Sequence, residues 1–148
     1  MIWMKLGRIV ADGAPEETLT AARMAEVERH VAQAEKRGLE WHFAMLRDAG
    51  RNRGYAAAVR RAVRPGDVVL DVGAGTGLLS LVAARDAGAR RVVALEQNRA
   101  LASIAEACVR ANNLSHVVTV VSAWSHEFSA DALRRLTGGA LADVLVSE

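Results

Sequence analysis

Asp71-Val72-Gly73-Ala74-Gly75-Thr76-Gly77 follows directly on the apolar run Val68-Val69-Leu70, so it reads as a strand delivering a glycine-rich turn. Such a turn suits a nucleotide-like ligand. Gly73 and Gly75 carry no Cβ and reach positive φ at little cost, so backbone N–H groups can close on a ligand; the helix starting at Leu78 points its positive end at the same place. A dinucleotide site asks for G-x-G-x-x-G. Here the third glycine comes one residue early, and Leu78 stands where that motif needs glycine. The spacing favours S-adenosylmethionine over NAD. Glu96 supplies the other half of the chemistry. It ends the next apolar run, Val92-Val93-Ala94-Leu95, nineteen positions past Gly77, where an acid grips the two ribose hydroxyls and rejects a 2′-phosphate. The bland alternative is a tight strand-to-helix turn with no ligand. Asp71 before the loop and Glu96 after the second strand weigh against it.

These residues work together only if strands deliver them to one edge of a sheet. The apolar runs predict strands over Val68–Asp71, Val92–Glu96, Val117–Val121 and Val144–Val146, alternating with helices over Leu78–Ala87, Ala100–Ala111 and Asp131–Leu136. That rhythm, with valine-rich strands, predicts an α/β Rossmann-like core: a parallel sheet with helices on both faces. The sequence stops just behind the fourth strand, which leaves an exposed edge and a core that reads as truncated. Upstream, residues 41–64 are expected to be helical and broken near Gly50 and Gly54, with Tyr55, Val59, Ala62 and Val63 on one face and Pro65-Gly66 as the stop. Asp12, Gly13 and Pro15 predict a turn and Pro15-Glu16-Glu17 a helix start. Met24, Val27, Val31 and Ala34 recur at helical spacing until Gly38. The chain thus divides into an amphipathic helical segment (1–40), a second helical segment (41–66) and the sheet domain (67–148).

At 148 residues and 51% hydrophobic, the chain is long enough for one domain with a core. No apolar stretch approaches the ~20 residues needed to cross a bilayer, and Met1-Ile2-Trp3-Met4 is too short for a secretory signal. A cytoplasmic protein is expected. Cys108, the only cysteine, excludes an internal disulfide; it shares a helical face with Leu101, Ile104 and Ala105, which makes it a core residue. His30, His42, His116 and His126 show no ligand spacing, and no metal is expected. The net charge of +2 is no footprint of a dedicated nucleic-acid binder. Arg47, Arg51, Arg53, Arg60, Arg61 and Arg64 read as a solvated helix face, with RNA or an acidic partner left open.

Two segments coincide with a known pattern. Residues Trp41-His42-Phe43-Ala44-Met45-Leu46-Arg47-Asp48-Ala49-Gly50-Arg51-Asn52-Arg53-Gly54-Tyr55 resemble the segment that precedes the catalytic core in protein arginine N-methyltransferases, above all in the divergent branch that includes monomethylating and tetratricopeptide-bearing members. The likeness continues through Val69–Ser80, Glu96, Asn112-Asn113-Leu114, Val117–Val121 and Val144-Leu145-Val146-Ser147-Glu148. It implies a class I methyltransferase fold and S-adenosyl-L-methionine as cofactor. Arg51 would bind the methionyl carboxylate, a planar fork meeting a carboxylate. His42 and Met45 would lie on the helix over the cofactor, with Asp48 ordering it. Asp71, Gly73, Ala74, Gly75, Thr76, Gly77 and Leu78 would contact the amino-acid and ribose parts, and Glu96, with Gln97 beside it, the ribose.

Glu148 would be the catalytic residue, the first of two glutamates that grip a substrate guanidinium. The acid the family offers to the adenine amino group has no clear counterpart in Trp124-Ser125-His126-Glu127: Glu127 is the nearest candidate, with backbone at Ser125 or His126 as the alternative. The second glutamate, a later histidine loop and a β-barrel are not in this sequence. Taken singly, Met45 and Tyr55 also fit core packing, His42 a surface or capping position, and Arg51 a surface charge; their joint spacing is what carries the resemblance. The substrate implied is arginine in a protein, with a homodimer for a full-length enzyme, no membrane as partner and nucleic acid not favoured. Another class I methyltransferase substrate, a ribosomal protein or a small molecule, and a non-catalytic truncated module are the alternatives.

Overall fold

The computed structural model describes residues 25–30, 32 and 40–148. The turn expected at Asp12, Gly13 and Pro15 lies outside them, as do Met24, Val31, Ala34 and Gly38 and the side chains of Trp41 and Phe43. Residues 25–30 are helical, and Val27 is buried in the main core.

Helix α1 (Glu40–Arg47) leads into α2 (Ala49–Ala62). The break between them falls at Asp48, upstream of the two glycines where it was expected. Asp48 takes an extended backbone and its side chain accepts the Arg51 N–H, capping α2. Gly50 and Gly54 continue as helix. Each costs about 1 kcal/mol relative to alanine inside a helix, which a good cap and the burial of Val59 offset. Asn52 is buried, and its amide donates to the Leu46 carbonyl at 2.8 Å, tying α1 to α2 across the break.

From there strand and helix alternate: β1 (Val68–Val72), α3 (Leu78–Arg85), β2 (Arg91–Leu95), α4 (Arg99–Ala111), β3 (Val118–Val121), a short 3-10 turn (Ser125–Glu127), α5 (Ala130–Thr137) and β4 (Val144–Ser147). Every strand pair is parallel, in the order β3-β2-β1-β4. The α/β Rossmann-like plan read from the sequence is therefore the observed one, with element ends within about two residues of expectation.

Alternate strand residues face opposite sides of the sheet. Val69, Val92, Ala94 and Val118 pack with α2, α3 and α4, and Cys108 of α4 is buried among them. Burial pushes its thiol up to about 12, consistent with a packing role. Val93 and Leu95 pack instead with Leu133 of α5, Leu70 and Phe128. That second face is thinly covered: Leu141 and Leu145 remain 49% and 62% exposed. β4 lies at the sheet edge, and the Asp143 side chain, accepting the Val68 N–H at 2.8 Å, pins its start to β1.

The register sets the position of the chemistry. Val72 pairs with Leu95 on one side and Ser147 on the other. The residues that follow each of them, Gly73, Glu96 and Glu148, therefore emerge side by side at the carboxyl end of the sheet. β1 is also where the strand order reverses, and in open α/β sheets that crevice is the ligand site.

Candidate functional site

A continuous cleft runs across this end of the sheet. One part, of about 210 Å³, is lined by His42, Met45, Arg51, Asp71, Gly73, Ala74, Gly75, Thr76, Leu78, Glu96 and Glu148. A second, of about 530 Å³, shares His42, Gly73, Glu96 and Glu148 and extends past Gln97 to Ala123, Trp124 and Ser125. Helix α1 thus lies along a cleft floored by the strand ends.

Asp71, at the end of β1, is 1% exposed. The Ser80 hydroxyl donates to its Oδ2 at 2.6 Å, while Oδ1 has no hydrogen-bond partner. Burial raises the carboxyl to about 6, the Ser80 hydrogen bonds oppose this and the nearby Glu96 charge adds to it. An orphaned carboxylate oxygen facing a cleft calls for a cation or another donor. Glu96 is 6% exposed. Its Oε2 accepts the Gly75 N–H at 2.8 Å and its Oε1 the Asn98 N–H at 2.7 Å. A carboxylate has about four lone-pair positions, so each oxygen keeps one for a hydroxyl.

The glycine loop is fixed against β2, since Gly73 and Ala74 both donate to the Leu95 carbonyl at 2.9 Å. Gly75 holds a φ of +55°, where its N–H meets Glu96. Gly77 does different work from the role expected of it. It does not line the cleft; it begins α3 with a φ of +88°, and a Cβ there would stand 3.3 Å from Ala105 Cβ of α4. Gly77→Ala is expected to cost about 1–3 kcal/mol through backbone strain and crowding, read from the chemical denaturation midpoint; a change below about 0.5 kcal/mol would contradict that packing role.

Arg51 sits at the start of α2. Its guanidinium pairs with the Glu148 carboxylate, donates to Asn52 Oδ1 at 3.0 Å and lies 5.0 Å from the centre of the Tyr55 ring. Tyr55 packs against the core instead of lining the cleft. His42, on α1, lines both parts; burial lowers its pKa, and the Glu96 charge opposes this. Of the residues expected at the site, Glu127 is the one set apart with Gly77. It belongs to the 3-10 turn, its side chain is 64% exposed, and it faces His126. Most of the arginine cluster is solvated, as expected: Arg47, Arg53, Arg60, Arg61 and Arg64 are exposed.

Four contributors were not read from the sequence. Ser80 is a hydroxyl inside the apolar run Leu78-Leu79-Ser80-Leu81-Val82, which is the signal that could have found it. Asn98 both feeds Glu96 and caps α4 through the Ala100 N–H, and an Asn two residues past a strand end is a readable cap. Asn52 orients Arg51. Trp124 reaches the far end of the cleft from a loop with no periodic signal. Among the described residues no cluster of His, Cys, Asp and Glu could hold a metal ion.

The family model of the TRM5/TYW2 methyltransferase domain matches residues 46–138. An arginine N(omega)-methyltransferase of Streptomyces achromogenes subsp. streptozoticus is 45% identical over 118 residues, 79% of this chain and 31% of that protein. The solved structure of PRMT6 with SAH superposes with a TM-score of 0.66 at 34% identity, covering 74% of this chain and 34% of the other. The Trypanosoma brucei PRMT1 enzyme-prozyme heterotetramer with AdoHcy gives a TM-score of 0.62 at 34% identity, covering 72% and 31%. These likenesses bear out the resemblance seen in the sequence. The chain spans a third or less of the length of the curated relatives it matches.

Proposed function

We propose, for a chain that belongs to the TRM5/TYW2 methyltransferase domain family, that it is the cofactor-binding part of an S-adenosylmethionine-dependent enzyme methylating arginine side chains of proteins. One observation carries this reading: the unpartnered Asp71 oxygen, the buried Glu96 carboxylate and the Arg51–Glu148 pair converge on one cleft at adjacent strand ends. The first two match the ammonium and ribose of the cofactor. The third supports the acceptor reading, since Glu148 pairs with the Arg51 guanidinium, the same group that an arginine substrate would bring.

S-adenosylmethionine supplies an electrophilic methyl on a sulfonium, and displacement at that carbon asks mainly for positioning and exclusion of water. Asp71 would hold the ammonium, Arg51 the carboxylate, and Glu96 the ribose hydroxyls. His42 and Met45, on α1, line the cleft and would lie over the ligand. The acceptor guanidinium arrives protonated with its lone pair delocalised. Glu148 orients it, draws positive charge away from the reacting nitrogen and accepts its proton. Asp71 and Glu96 are committed to the cofactor, so among the described residues lining the cleft Glu148 is the one carboxylate left for this work. The chain alone is therefore expected to bind both ligands without turning over.

The Streptomyces relative favours a second reading, because its name specifies arginine and not a protein. Titrating the chain, saturated with S-adenosylhomocysteine, separates the two. Binding of an arginine-rich peptide, lost in Glu148→Gln, supports the protein substrate; binding of free L-arginine alone supports the small molecule. Lysine analogues binding as well as arginine would sink both. No helix among the described residues is long and apolar enough to cross a membrane. Cytoplasmic location and homodimerisation of the whole protein complete the proposal; the heterotetramer of the T. brucei relative supports oligomerisation in general.

A further inference from the structure

Glu96 lies between two chemically different ends of the cleft. Toward Met45 and Thr76 the cleft offers the Asp71 oxygen and Arg51, the partners of a zwitterionic amino acid. A nucleoside whose ribose is held at Glu96 must then extend its base the other way, toward Leu101, Ala123, Trp124 and Ser125. Leu101 is 2% exposed and part of the sheet core. Trp124, by contrast, is 54% exposed, and among the described residues it is the one Trp, Tyr or Phe side chain lining either part of the cleft. Its ring is tilted 49° to that of His126, with centroids 5.7 Å apart. An indole left half in water at the mouth of a cleft is surface available to a flat partner.

The edge of the base is less well served. The carboxylate nearest in sequence, Glu127, lines neither part of the cleft and is 64% exposed at its side chain. Recognition at this end therefore rests more on the face of the base than on a charged hydrogen bond to its edge.

From these observations we infer that Trp124 is a cofactor-binding residue whose indole stacks on the adenine ring at the open end of the cleft. The inference rests on the cofactor assignment above. Stacking of a base on an aromatic ring changes affinity by about 10- to 100-fold. Trp124 is exposed, so its variants should fold, which a melting curve checks.

The test titrates S-adenosylhomocysteine, and separately adenosine, into the parent, Trp124→Ala and Trp124→Phe, by calorimetry and by indole fluorescence. The expected result is a Kd raised about 10- to 100-fold in Trp124→Ala for both ligands, since the loss lies at the base. Trp124→Phe should regain most of the affinity while losing the Trp124 share of the ligand-induced fluorescence change. Tight binding by the parent with Trp124→Ala within about twofold of it would overturn this inference and leave the cofactor assignment standing. A folded parent that binds neither ligand would overturn both.

Discussion

Glu96→Gln is expected to weaken S-adenosylhomocysteine binding by about 100-fold or more. The carboxylate would receive two ribose hydroxyls, and hydrogen bonds to a charged group contribute about 1.5–3 kcal/mol each. The amide keeps one acceptor oxygen and turns the other into a donor. In this structure each oxygen also accepts a backbone N–H, from Gly75 on one side and Asn98 on the other. Whichever way the amide turns, an NH2 faces an N–H. The glycine loop or the start of α4 then loses its anchor, at a further cost of about 1–3 kcal/mol in stability. Calorimetry with a parallel thermal melt reads both effects. Binding within about threefold of the parent, in a folded variant, would remove Glu96 from the ribose site.

Asp71→Asn is expected to remove a pH dependence that the parent shows in both stability and binding. The Asp71 carboxyl is raised from 3.8 to about 6, first by burial, so the folded chain holds its proton more tightly than the unfolded chain does. The linked stability is complete below about pH 4 and is lost as pH rises through 6. A shift of this size corresponds to about 3 kcal/mol. Binding runs the other way. The cofactor ammonium pairs with the ionised carboxylate, so affinity should climb by up to about tenfold per pH unit approaching 6 and then level off. In Asp71→Asn both slopes flatten, and at neutral pH affinity falls by about tenfold or more for want of the charge. Denaturation midpoints and titrations from pH 4.5 to 8 make the comparison. A parent whose affinity is flat across that range would show that Asp71 does not meet a cation.

The two carboxylates differ for a reason rooted in the sheet. Asp71 pairs in register with Ala94, two residues before Glu96. One carboxylate is therefore sunk at the strand end against Ser80, and the other is raised to where two loops supply N–H groups. Neighbouring acids given separate partners suit a ligand that carries both a cation and a diol.

Much of this was present in the sequence. Valine-rich runs and helical spacing fixed every strand and α-helix from Val68 to Ser147, though not the 3-10 turn at Ser125–Glu127, because a strand buried on both faces and an amphipathic helix write their environment into local composition. The glycine loop and Glu96 were legible for the same reason: positive φ and a strand-end acid are local requirements. The break between α1 and α2 was misplaced because a capping interaction at Asp48 outweighed the intrinsic cost of Gly50 and Gly54. What the tertiary structure alone decided were properties of pairs distant in sequence. The Arg51–Glu148 contact exists because β4 lies against β1 while α2 docks above the same strand ends. Gly77 serves the packing of α3 on α4, and Glu127 turns to solvent while Trp124 rims the cleft. Periodicity records which face of an element is buried, whereas the partner each buried or exposed group meets is set by strand order and register, which no single segment encodes.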